Sequence, residues 1–143
     1  MKAKAFTLME LLVVMAIIAI LGGMAIGGAQ MARKRGAITK AKAAITALEA
    51  AIDMYELDIG EYPASGNTIL VEALSADSSN PDWNGPYMRF KDEDLEGGSY
   101  LDPWGNPYVY INPGTHNLNF YDIYSFGLNS QDEQGAGDDI NNW

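Results

Sequence analysis

The chain has 143 residues, no cysteine and a formal net charge of −10. The absence of cysteine excludes disulfides and thiol chemistry, and the acid excess argues against nucleic acid, whose phosphates are held by Lys and Arg. The length fits one small domain on an apolar stem.

Charge divides along the chain. Residues 1–48 carry seven basic side chains and one acidic, net +6, whereas residues 49–143 carry two basic (Arg89, Lys91) and eighteen acidic, net −16. The start, Met1-Lys2-Ala3-Lys4-Ala5, is short and basic, and the run from Phe6 to Ala29 is apolar except for Glu10. At about 1.5 Å per residue that run makes roughly 36 Å of helix, enough to cross a hydrocarbon core of about 30 Å. A carboxylate at the centre of a membrane helix costs roughly 2.5–3.5 kcal/mol, so Glu10 reads as a functional residue in want of a cationic partner. A secretory signal peptide, with Gly27 and Ala29 near its cleavage point, does not account for Glu10 or for the apolar length. A plain membrane anchor accounts for the length only. Lys2 and Lys4 precede the span while Arg33, Lys34, Arg35, Lys40 and Lys42 follow it, the reverse of the charge bias of an N-in helix.

The run from Lys4 to Val14, with Phe6 four residues before Glu10, resembles the class III signal of the type IV pilin superfamily. The resemblance implies cleavage between Ala5 and Phe6 by a prepilin peptidase and N-methylation of Phe6. It also implies that Glu10 is an assembly residue, paired with the amino group of a neighbouring subunit's first residue when the filament register is right. Burying such a charge is unfavourable unless it is paired. Ala5 stands where the family usually has glycine. The implied organisation is a leader over 1–5, a transmembrane and assembly helix over 6–29, and a globular domain over 30–143.

Beyond the span, Ile38, Ala41, Ile45, Leu48, Ile52, Tyr55 and Ile59 recur at steps of three and four, which draws one apolar helical stripe. Helix formers fill 37–57, and Gly60 with Tyr62-Pro63 supplies the stop. Gly22-Gly23 and Gly27-Gly28 weaken the stem by about 1 kcal/mol per glycine and serve equally as a hinge or as close-packing points in lipid. Gly27 stands about where the family carries a proline.

Asn67 or Thr68 is expected to cap a short helix with Ile69, Leu70 and Leu74 toward a sheet. Residues 75–86 read as loop and Asp92-Glu93-Asp94 as solvated surface. Strands are expected over Tyr108–Ile111 and Leu118–Phe126, with a turn from Asn112-Pro113-Gly114. The segments Trp83-Asn84-Gly85-Pro86-Tyr87 and Asp102-Pro103-Trp104-Gly105-Asn106-Pro107-Tyr108 resemble signatures of G-type pseudopilins, the major pseudopilins of type II secretion. The lack of cysteine leans the same way, since many surface-fibre pilins close a C-terminal loop with a disulfide. The implied fold is α+β, a long N-terminal helix packed on a small antiparallel sheet.

The C-terminal stretch is acidic, glycine-containing and without EF-hand spacing. It reads either as a solvated tail or as a loop round a hard cation. The ending Asp139-Ile140-Asn141-Asn142-Trp143 resembles that of G-type pseudopilins, whose terminal loop binds one calcium. That resemblance points first to Asp139 and the Leu128 carbonyl, then to Asn129, and more weakly to Asp132 and Asp138. Catalysis has little support. The single histidine, His116, sits by a Pro-Gly turn, and no phosphate-binding glycine loop opens a helix.

The resulting expectation is a non-enzymatic filament subunit in the inner membrane, single-pass, with its globular domain in the periplasm. It would form a helical homopolymer with itself, and its partners would be minor pseudopilins, the inner-membrane assembly platform, the prepilin peptidase and the membrane. A type IV pilus subunit for adhesion or motility is the neighbouring alternative, and a membrane-anchored calcium-dependent binding module the alternative of another class.

Overall fold

The computed structural model describes residues 6–76 and 80–143, without the side chains of 24–27. The chain divides into two compact units, Met1–Gly36 and Ala37–Trp143. The long helix α1, Leu8–Ile59, supplies the described part of the first unit beyond Phe6 and Thr7 and the opening of the second. It stays helical through both glycine pairs.

In the first unit, every residue from 6 to 36 whose exposure is described is exposed. The apolar side chains from Leu8 to Leu21 therefore have no cover within the unit, and the helix is long and apolar enough to cross a membrane. Its start is capped. Thr7 Oγ1 accepts the Glu10 backbone N–H at 3.2 Å, while Glu10 Oε2 accepts the Thr7 N–H and hydroxyl at 2.9 Å each. This is the reciprocal capping box of a Thr-x-x-Glu sequence, which satisfies backbone donors that a helix start leaves open.

The second unit begins with the apolar stripe. Ala41, Ile45, Leu48 and Ile52 are buried as the periodicity predicts, together with Ala51, and Ile38 and Tyr55 pack at the edge. They share one core with Leu70 and Leu74 of α2 (Asn67–Ser75) and with Tyr108, Tyr110, Tyr121, Ile123 and Ile140 from the sheet region. Burying a side chain the size of Leu48 or Ile52 contributes about 1.5–3 kcal/mol, so this stripe is what fastens the domain to α1. The helix ends at Ile59, where Gly60 takes a φ of +86° and its N–H bonds to Glu56 O at 2.7 Å.

Two expectations for α2 are corrected. No side chain caps it; Gly66 stands at the N-cap. Asn67 instead receives the Tyr100 N–H at 2.6 Å and donates to the carbonyls of Tyr100 and Tyr108 at 3.0 and 2.6 Å, so its amide works as a tertiary staple. The buried face is Leu70, Val71 and Leu74, while Ile69 is 47% exposed. Trp83 and Tyr87 then clasp the region: Trp83 Nε1–H donates to Ala73 O and Tyr87 O–H to Asp58 Oδ2, at 2.9 and 2.8 Å.

Asp92–Asp94 form one turn of 3₁₀ helix, and Lys40 Nζ lies 3.2 Å from Asp94. A small hairpin follows, β1 (Leu95–Glu96) and β2 (Ser99–Tyr100), turned at Gly97-Gly98, both at positive φ. The main sheet has three antiparallel strands, β3 (Val109–Ile111), β4 (Asp122–Ser125) and β5 (Ile140–Asn141), with β4 central. The second expected strand, Leu118–Phe126, is thus shorter than its pattern suggests. The fully buried Asp122 is the reason: its carboxylate collects the N–H groups of Thr115, His116 and Asn117 at 2.6, 2.8 and 2.9 Å, which bends the preceding segment away from a ladder. The last strand lies inside the stretch expected to be loop.

Candidate functional site: the helix head and the C-terminal loop

Two regions hold the residues singled out in the sequence, one in each unit. In the first, Phe6 is 74% exposed, and Ala5, with the rest of the expected leader, lies outside the described residues. Glu10, expected to want a cationic partner, has its Oε2 engaged within the chain by the neutral donors of the Thr7 capping box. Thr-x-x-Glu ahead of an apolar run is the sequence signature of that box. A capped carboxylate still carries a full charge, so Glu10 can attract a cation from outside the subunit.

In the second, the loop between β4 and β5 winds tightly, with positive φ at Gly127, Ser130, Gln134, Gly135 and Gly137. Gly127 is required there, because a Cβ would strike the backbone and side chain of Asp138. Asp138 Oδ2 accepts the N–H groups of Leu128 and Asn129 at 2.8 and 3.0 Å, so these three predicted residues do meet, although through backbone donors. Asn129 Oδ1 accepts the Gln131 N–H at 2.7 Å. Asp132 Oδ1 accepts from Tyr124 O–H and the Gln134 N–H, at 3.1 and 2.9 Å.

Asp139 differs from these. Its Oδ2 accepts the N–H groups of Glu133 and Gly135 at 3.1 and 2.8 Å, but its Oδ1 is buried without a hydrogen-bond partner. Desolvation pushes its carboxyl above the usual range; the two N–H bonds oppose this, and the charges of Glu133 and Asp132 add to it. Buried carboxylate oxygens are normally satisfied, and a hard cation is one way of doing so. Among the described residues no three His, Cys, Asp or Glu side chains converge as metal ligands. A cation here would therefore be anchored by Asp139 and completed by carbonyl, amide or solvent oxygens. Glu133, which the sequence reading overlooked, accepts the Asp138 N–H at 3.1 Å and helps shape the turn.

The loop is tied down at both ends. Asp102, in the first turn after the hairpin, receives the Trp104 and Asn106 N–H groups on Oδ1, both at 2.9 Å. Its Oδ2 receives the Ser125 hydroxyl at 2.6 Å, and Ser125 Oγ accepts the Gly127 N–H at 3.1 Å. At the other end Trp143 stacks on His116 with ring centres 4.2 Å apart and planes 7° from parallel. The imidazole is thereby engaged in packing, with Nδ1 3.4 Å from Asp122.

The sequence that builds these two regions matches known proteins along nearly its whole length. The family profile described as "Type II secretion system (T2SS), protein G" matches residues 30–143, and "Prokaryotic N-terminal methylation motif" matches residues 1–26. The chain belongs to the type II secretion system protein G family. It is 37% identical to the type II secretion system core protein G of Escherichia coli K12, over 99% of this chain and 92% of that protein. Its identity to the Pseudomonas aeruginosa core protein G is 36%, over 99% and 96%. The crystal structure of the major pseudopilin from the type 2 secretion system of enterohaemorrhagic Escherichia coli superposes with a TM-score of 0.54 at 27% identity, covering 80% of this chain and 92% of that one. The α+β fold expected from sequence is thus the protein G fold.

Proposed function

We propose that this chain is the major structural subunit of a type II secretion pseudopilus, an inner-membrane protein whose globular domain faces the periplasm and whose polymer drives export of folded proteins. The observation that carries the reading is the Thr7–Glu10 box at the head of an uncovered apolar helix, on a chain of the protein G family. A helix with apolar residues all round needs lipid or other helices for cover, and a filament core supplies the second when the subunit leaves the first. Glu10 retains its charge through that transfer and favours the register that places a neighbour's Phe6 amino group beside it.

On the same reading a prepilin peptidase cuts between Ala5 and Phe6 and N-methylates Phe6; the match of residues 1–26 to the prokaryotic N-terminal methylation motif supports it. Further partners are minor pseudopilins and the inner-membrane assembly platform. Calcium is proposed for the terminal loop, with Asp139 as carboxylate anchor and the Leu128 carbonyl and Asn129 amide as the next candidates; Asp132 and Asp138 are the weaker candidates, each already holding two donors on one of its carboxylate oxygens. The ion would close the loop by neutralising Asp139, and the role is structural rather than catalytic.

The test is assembly in cells that supply the other secretion components. Glu10→Ala and Glu10→Val are expected to remain in the membrane fraction while sheared fibres and secreted cargo drop sharply. Normal fibre yield from both variants overturns the register role; normal secretion from cells lacking the chain overturns the function.

A further inference from the structure

Between Glu10 and Glu49 the chain has no acidic residue, and its cations there begin with Arg33, Lys34 and Arg35, four residues after the apolar run ends at Ala29. All three lie in the helical first unit and are exposed. Being consecutive, they differ in height by only about 3 Å and fan across about 200° of the helix circumference. A contact along a groove would instead repeat every three or four residues on one face. A fan of charge at one level matches a plane. The level is also informative, because Lys34 stands about 7.5 Å of helix beyond Ala29, and the headgroup layer adds roughly 5–7 Å to each side of the hydrocarbon core. Lys40, further along, is engaged with Asp94 at 3.2 Å.

We propose that Arg33, Lys34 and Arg35 form a collar that binds the phosphates of anionic glycerophospholipids, so that the membrane-resident subunit gathers a shell of acidic lipid. The collar rests on the reading of α1 as a membrane helix. Long aliphatic stems let all three cations reach the headgroups while the backbone stays central. The collar also gives a use to cations placed against the usual charge bias of the span.

The full chain, reconstituted in phosphatidylcholine vesicles, is probed with spin-labelled phosphatidylglycerol and spin-labelled phosphatidylcholine, and the motionally restricted fraction of each is compared. An enrichment of phosphatidylglycerol on the order of fivefold for each engaged cation is expected, reduced by high salt. The variant R33Q/K34Q/R35Q keeps helix propensity and should lose the enrichment, whereas K42Q should retain it. Equal restriction of the two lipids, enrichment that survives the triple substitution, or equal loss in K42Q overturns the collar. Salt-sensitive crosslinks from these residues to the acidic domain of a second copy, without lipid preference, assign the cations to subunit contact instead. A chain that fails to enter vesicles of any composition overturns the membrane reading and the collar together; one that enters without lipid preference overturns the collar alone.

Discussion

Ser125 donates its hydroxyl to Asp102 at 2.6 Å with both residues buried, and this one bond joins the turn before β3 to the end of β4. Because Asp102 also receives the N–H groups of Trp104 and Asn106, Asp102→Ala would strand three donors at once. Bonds to a charged acceptor contribute about 1.5–3 kcal/mol each, so a loss of about 3 kcal/mol or more is expected for Asp102→Ala and about half that for Ser125→Ala. Urea unfolding followed by near-ultraviolet circular dichroism measures both; equal stability of wild type and Asp102→Ala would remove this link from the account.

Acid stability should depend on Asp122. Burial would raise its carboxyl pKa, but the N–H groups of His116 and Asn117 and the hydroxyl and N–H of Thr115 outweigh burial and hold it below the usual range. A folded pKa below the unfolded value of about 3.9 means that this carboxylate stabilises the fold above that pH and ceases to do so as pH falls through the folded value. Asp122→Asn should lower stability at neutral pH and flatten the loss below about pH 4. An acid limb identical to wild type in a pH series of thermal melts would contradict this.

Calcium should act through Asp139 and in the opposite pH sense. Its folded pKa is raised, so without a cation its ionisation costs stability as pH climbs from about 4 through the folded value. A bound ion reverses that cost and adds about 2.7 kcal/mol when present at 100 times its dissociation constant. Melting temperature should therefore rise with calcium near neutral pH and much less with magnesium, and the gain should fade as acid protonates the ligand. Asp139→Asn keeps an acceptor for the Glu133 and Gly135 N–H groups but should lose the calcium response. Asp92→Asn, on the exposed 3₁₀ turn, should keep it. A calcium response equal in the two variants would move the ion elsewhere.

Processing leaves a chemical mark. Protein isolated from assembled fibres should begin at Phe6 and carry one N-methyl group, which peptide mass analysis reads directly. Met1 retained in assembled protein would end the leader assignment. Ala5→Gly restores the residue usual in the family before the cut and is expected to speed cleavage.

The sequence by itself determined what repeats locally. Ala41, Ile45, Leu48 and Ile52 share a face because a helix turns every 3.6 residues, and they are buried as that period requires. The uncovered apolar run, the stop at Gly60 and the turn from Asp102 to Pro107 are equally local, and motif resemblance alone pointed to the family. Only the tertiary structure decided where polar groups satisfy one another across distance. Asn67 had the composition of a cap, but its partners Tyr100 and Tyr108 lie 33 and 41 residues away. Leu118–Phe126 had the pattern of a strand, but burial of Asp122 drew the neighbouring N–H groups onto one carboxylate. The terminal stretch read as loop, yet Ile140 and Asn141 pair with β4, which lies between two strands and thus needs partners on both edges. Hydrophobic period is written residue by residue, whereas hydrogen-bond satisfaction depends on which donors the finished fold leaves without water.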